Sequence, residues 1–95
     1  MSKYSVTTTA FAVMKELATK TQQLRKKNGI SQLELSKRSG VSFGSLKRFE
    51  TSGQISLESF LKIAYFFNRL EDFAAVFQID ADLENVEKLF SSKTR

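Results

Sequence analysis

Cysteine and histidine are both missing from this sequence. Their absence rules out a disulfide, a thiolate metal site, a cysteine nucleophile, a histidine base and a histidine-bound metal. Most enzyme mechanisms go with them. Glu16, Glu58, Glu71 and Asp72 are therefore expected to be surface and helix-end carboxylates rather than acid–base groups. The chain reads as a non-enzyme that needs no cofactor and no metal. A disulfide-free composition also fits a reducing cytosol. Proline is absent too, and glycine occurs only four times, which favours one helix following another over turn-rich β structure. The opening MSKYSVTTTA has no apolar stretch of the signal-peptide kind. Apolar runs such as Ala74–Phe77 are far too short to cross a bilayer. The expectation is a soluble, cytoplasmic protein with no membrane partner.

The 95 residues suit one domain with a single modest core, and 41% hydrophobic with 26% charged residues is too apolar a balance for disorder. Charge is unevenly spread. Residues 1–55 hold ten Lys and Arg against three Glu, a net +7, while residues 56–95 hold five against seven, a net −2. A basic half joined to a mildly acidic one fits a nucleic-acid binder with a separate assembly surface, and equally fits a protein with an uneven surface. Charge alone does not choose.

Helix ends are written into the chain. Ala10, Met14, Leu17, Thr21 and Leu24 recur at helical spacing, predicting a helix from near Thr8 to Asn28-Gly29. Ser31-Gln32-Leu33-Glu34 forms a capping box for a second helix, with Ile30 and Leu35 inward and Gly40 as its stop. Ser42 opens a third helix, Leu46 and Phe49 inward, closed by Gly53. Ser56 opens a fourth, whose inner face is predicted as Leu57, Phe60, Ile63, Ala64 and Phe67, ending at Asn68. A fifth segment, Leu70–Phe77, places Leu70, Phe73, Ala74 and Phe77 on one face. Asp82 could cap a short helix carrying Leu83, Val86 and Phe90, and Ser91–Arg95 is expected to fray. These elements predict an all-α fold of five helices, with a domain over residues 1–78 and a C-terminal extension over 79–95.

The unit Gln32–Glu50, QLELSKRSGVSFGSLKRFE, joins two short helices through Ser39-Gly40-Val41-Ser42. Gly40 permits the sharp turn, Val41 plugs the angle, and Ser36 is small enough for close helix contact. A steep crossing sets the second helix proud of the domain, where it can enter a groove. The outward face of that helix is predicted to be Phe43, Gly44, Lys47, Arg48 and Thr51. Arg48 could offer a fork to guanine O6 and N7, Lys47 could reach a guanine or a phosphate, and Phe43 could touch a thymine methyl. Gln32 is placed for a phosphate or for supporting a reader, and the capped helix start at Ser42 favours an anion.

The run Leu24-Arg25-Lys26-Lys27-Asn28-Gly29-Ile30-Ser31-Gln32, with Leu35-Ser36, Gly40-Val41-Ser42, Leu46, Phe49-Glu50 and Ser56-Leu57 through Ile63-Ala64, resembles the phage-repressor/Cro (XRE) helix-turn-helix family. The resemblance spans roughly Leu17–Phe67. It implies a five-helix phage-repressor-like domain, a homodimer and a partly palindromic operator of double-stranded DNA. It further implies phosphate contacts from Gln32, Ser42, Ser45 and the Thr51-Ser52 loop, base contacts from Phe43, Gly44, Lys47 and Arg48, and a structural ion pair between Arg25 and Glu50. Thr21, where the family usually has an aliphatic residue, and Ser36 are departures expected to loosen packing slightly. Phe43 stands where many members carry a polar reader.

Tyr65, Phe66, Phe67, Phe73, Phe77 and Phe90 crowd the C-terminal half. With Phe60 and Phe67 filling inward positions, Tyr65, Phe66 and Phe77 need another cover, and a dimer interface of Phe66, Phe73 and Phe77 is expected. The stretch Gly53–Ala64 with Arg69–Phe73 is similar to the HipB-like branch of antitoxins, which implies a HipA-like kinase toxin as partner. Alternatives are a stand-alone phage-type repressor and an adaptor that has lost DNA binding; the basic outward face argues against the adaptor.

Overall fold

The computed structural model describes residues 8–79. It forms four α-helices: α1 (Ala10–Lys27), α2 (Gln32–Ser39), α3 (Phe43–Ser52) and α4 (Leu57–Phe66). A single 3₁₀ turn, Leu70–Phe73, follows. Among the described residues there is no strand, and no helix is long and apolar enough to cross a membrane. The predicted helix over Asp82–Phe90 and the frayed end Ser91–Arg95 lie outside the described residues.

Each α-helix starts the same way. Thr9, Ser31, Ser42 and Ser56 hold extended backbone, and each side-chain oxygen accepts from the amide three residues on, at 3.0–3.1 Å. A cap of this kind contributes about 1 kcal/mol. The predicted box at α2 forms by half. Ser31 accepts from Glu34, but the Glu34 carboxylate turns to Arg38 at 2.9 Å, one helical turn on. α1 begins at Ala10, since Thr9 rather than Thr8 supplies the cap.

The core gathers Ala18, Leu35, Val41, Leu46, Phe49 and Ile63, ringed by the half-buried Leu17, Ile30, Ile55, Phe60, Phe66 and Phe67. Leu46 and Phe49 of α3 face inward as predicted, packed against both α1 and α2, while α4 packs on α2. Full burial of a Leu, Ile or Phe stabilises by roughly 1.5–3 kcal/mol, and Leu35, Leu46, Phe49 and Ile63 are the largest side chains buried to that extent. The two predicted weak points are satisfied. Buried Thr21 donates its hydroxyl to the Leu17 carbonyl at 2.8 Å, and Ser36 donates to the Val41 carbonyl at 2.6 Å, tying the turn to α2.

Three expectations need correction. The fifth helix does not form: after the four-residue 3₁₀ turn the chain bends, and Phe77 stands at φ +59. So short a segment needs packing to persist, and Phe73, edge-on to Phe60 at 5.6 Å, is its one aromatic anchor. Leu57 is not on the inner face of α4 but 71% exposed, while Ile55, just before the Ser56 cap, packs against the core. Phe66 is half-buried against the core instead of free, and packs edge-on with Phe67 at 5.0 Å. Tyr65 and Phe77 do lie exposed, at 73% and 99%.

Gly40 and Gly53 both take the left-handed conformation, at φ +82 and +83, but in different surroundings. A Cβ on Gly40 would meet nothing within 4 Å, whereas one on Gly53 would lie 3.1–3.2 Å from the Met14 and Lys15 backbone of α1. Gly40→Ala is expected to lower stability by about 1 kcal/mol from conformation alone, and Gly53→Ala by about 2 kcal/mol or more. Chemical denaturation of the two variants tests this order, and a Gly40→Ala loss as large as that of Gly53→Ala would contradict it.

Candidate nucleic-acid interface

The position of α3 is fixed from behind by a buried cluster of polar groups. Arg25, near the end of α1, donates from Nε to Glu50 Oε2 at 2.8 Å and from Nη2 to Oε1 at 3.0 Å. Its Nη1 donates to the Ile30 carbonyl at 3.0 Å. The two side chains are only 9% and 2% exposed. The pair implied by the resemblance is present, and it has a third member. Gln32, the first residue of α2, donates from Nε2 to Glu50 Oε1 at 2.9 Å. Its amide nitrogen is thus engaged inside the protein, as support for the end of α3. One carboxylate joins α1, the loop after it, α2 and α3.

With Leu46 and Phe49 buried, the opposite side of α3 faces out. Phe43, Gly44, Ser45, Lys47, Arg48 and Thr51 are all exposed. Ser42 at the helix start accepts from the Ser45 amide and donates to the Ser45 hydroxyl at 2.8 Å. The first amides, of Phe43 and Gly44, point out of the helix end, where the dipole favours a negative group. A Cβ on Gly44 would meet nothing within 4 Å, so no neighbouring group crowds that position. Lys47 Nζ lies 5.3 Å from the centre of the Phe43 ring. The ring has a cation over it, which gives this exposed aromatic a role in positioning Lys47. Arg48 donates from Nε and Nη2 to Gln54 Oε1, at 3.1 and 2.8 Å.

At the far end, Thr51 donates its hydroxyl to the Lys47 carbonyl at 2.8 Å, and Ser52 donates to the Arg48 carbonyl at 2.7 Å. Both hydroxyl protons are spent on the helix itself. Lys15 of α1 donates to the Thr51 carbonyl at 3.0 Å and brings a further cation to this end. Lys15 and Gln54 escaped sequence reasoning. Lys15 reaches α3 across 36 residues, a separation no local pattern reports. Gln54 follows the helix-ending Gly53, and its return to Arg48 depends on that glycine's left-handed turn. Of the expected interface aromatics, Phe66 and Phe73 are half-buried within the domain and Phe77 projects from it.

Two short helices crossing through a glycine turn, with the second backed by apolar side chains and its polar face turned out, define a helix-turn-helix protein. A family model described as helix-turn-helix matches residues 22–73, more than half the chain, so the chain belongs to the XRE-type helix-turn-helix family. That is a family of sequence-specific DNA-binding regulators, not normally enzymatic. No curated protein and no solved structure gives a significant match.

Removing one side of the buried pair leaves a charge stranded. Arg25→Met and Glu50→Leu are each expected to cost about 3–5 kcal/mol, while the double replacement Arg25→Met, Glu50→Leu costs less than either single change. Urea unfolding of the three variants measures both numbers, and an additive double mutant would show that the two side chains are not coupled.

Proposed function

We propose that this protein is a homodimeric, sequence-specific repressor that binds a partly palindromic operator upstream of its own gene. The observation that carries this reading is the exposed face of α3. Phe43, Gly44, Lys47 and Arg48 stand on it side by side, and both cations lean on neutral partners rather than acids. Their charge is therefore open to a polyanion. Lys47 and Arg48 are the proposed base readers with Phe43 and Gly44 beside them. Ser42, Ser45, Thr51 and Ser52 line the two ends of α3, where phosphates would pass, and Gln32 braces the helix through Glu50.

Dimerisation would draw on Phe77 first, with the open edges of Phe66 and Phe73, joining the domain of residues 1–78 to its copy. The antitoxin reading extends the same proposal. Residues 79–95 would be the extension that engages a HipA-like kinase toxin, and the sequence similarity over Gly53–Ala64 and Arg69–Phe73 supports it. A kinase-like reading frame beside the gene is the discriminating observation; its absence leaves a stand-alone repressor in the cytoplasm.

The DNA reading is tested with duplex from the region upstream of the gene, comparing wild type with Lys47→Ala, Arg48→Ala. Wild type is expected to bind with an affinity that falls steeply as salt rises, and the double variant to lose roughly 1–3 kcal/mol for each base contact removed. Equal binding by both proteins would remove α3 as the reading helix. Sedimentation of wild type at micromolar concentration should give a dimer, and a monomer there would end the dimer proposal.

A further inference from the structure

Gln54 lies two residues beyond the end of α3, yet its side chain reaches back to that helix. Its Oε1 accepts from both Nε and Nη2 of Arg48. A short relay carries it there. Ser52 Oγ donates to the Arg48 carbonyl and accepts from the Gln54 backbone amide at 3.2 Å. Gly53, between them, takes its left-handed turn against the α1 backbone. The backbone under Gln54 is thus tied to the same turn of helix that carries Arg48.

We infer that Gln54 is a positioning residue that sets which edge of Arg48 meets a base, an inference that rests on the DNA reading above. The guanidinium is a planar fork with five N–H donors. With its Nε–Nη2 edge held on one amide oxygen, the Nη1–Nη2 end remains free, and that end fits guanine O6 and N7 as a bidentate pair. An arginine held on one side has fewer orientations to lose on binding. It is also kept from swinging to a phosphate, where its bonds would carry no sequence information. A neutral amide does this without cancelling the positive charge. A carboxylate would hold the fork as firmly but weaken attraction to the duplex.

The test uses the full chain and a pool of duplexes with a randomised core, the bound fraction being sequenced. The proteins are wild type, Gln54→Ala, Gln54→Glu, Arg48→Ala and the double variant Arg48→Ala, Gln54→Ala. Wild type should enrich a guanine that Arg48→Ala no longer selects. Gln54→Ala should reduce that one preference about five- to tenfold, keep preferences elsewhere, and have no effect in the Arg48→Ala background. Gln54→Glu should keep the guanine preference while binding more weakly and with a shallower salt dependence. The inference fails if Gln54→Ala retains the full guanine preference, if Gln54→Glu loses it, or if Gln54→Ala shifts base choice without Arg48, which would mean that Gln54 touches DNA itself. Wild type that binds no duplex, or binds with no preference lost in Arg48→Ala, overturns the DNA reading and this inference together. The wild-type and Arg48→Ala results alone distinguish that outcome.

Discussion

The contact on which the rest depends is the buried pairing of Arg25 with Glu50. Apolar packing alone would hold α1 against α3 but would tolerate some rotation, because burial is not directional. A guanidinium bonded to both oxygens of one carboxylate does not, since both distances and angles must be met at once. The same two side chains also recruit the Ile30 carbonyl and Gln32. The end of α1, the start of α2 and the last turn of α3 are therefore referred to one point. Desolvating two charges is costly, and a hydrophobic pair could be as stable. What the ion pair adds is a defined angle for the helix whose outer face matters.

That outer face is organised by what its cations lean on. Lys20, Arg38, Lys62 and Arg69 pair with carboxylates three or four residues away in sequence, which reduces their net field. Lys47 rests on an aromatic ring, Arg48 on an amide oxygen and Lys15 on a backbone carbonyl. Each is oriented without being neutralised. The distinction would matter for a surface that met a polyanion, because attraction scales with charge left over while selectivity needs donors that are already aimed.

The parts of the fold legible in the sequence are those written in local chemistry. Ser31, Ser42 and Ser56 mark helix starts, Gly40 and Gly53 mark ends, and the spacing of Leu46 and Phe49 divides α3 into a buried and an open side. Asn68 ends its element at φ +61, as a residue tolerant of that region can. The Arg25–Glu50 pair was accessible only through resemblance, since its members are 25 residues apart. What escaped was decided by competition in three dimensions. Leu57 obeys the inner-face period of α4, yet it is exposed, and Ile55 on the other side of the Ser56 cap packs against the core instead. Leu70–Phe77 has an apolar stripe, but of Leu70, Phe73, Ala74 and Phe77 only Phe73 is even half-buried, and the segment forms no more than a 3₁₀ turn. Phe66 and Phe67 are neighbours in sequence, and both find shelter because one packs its edge against the other's face.

The displacement of Leu57 has a consequence for α4. Leu57, Leu61 and Tyr65, spaced by four residues, form a second apolar stripe beside the inner one, and Leu70 continues it into a shallow groove. A surface helix ordinarily carries one apolar stripe and leaves the rest polar. The core cannot serve both, because Ile63 and Ala64 are already buried in it and Phe60 is engaged by Phe49 and Phe73. Apolar area in water costs about 25 cal/mol per Å² relative to burial. The surface left open around α4 and Phe77 is therefore where any association of this domain gains most, while Phe66 and Phe73, already half covered, have less to give.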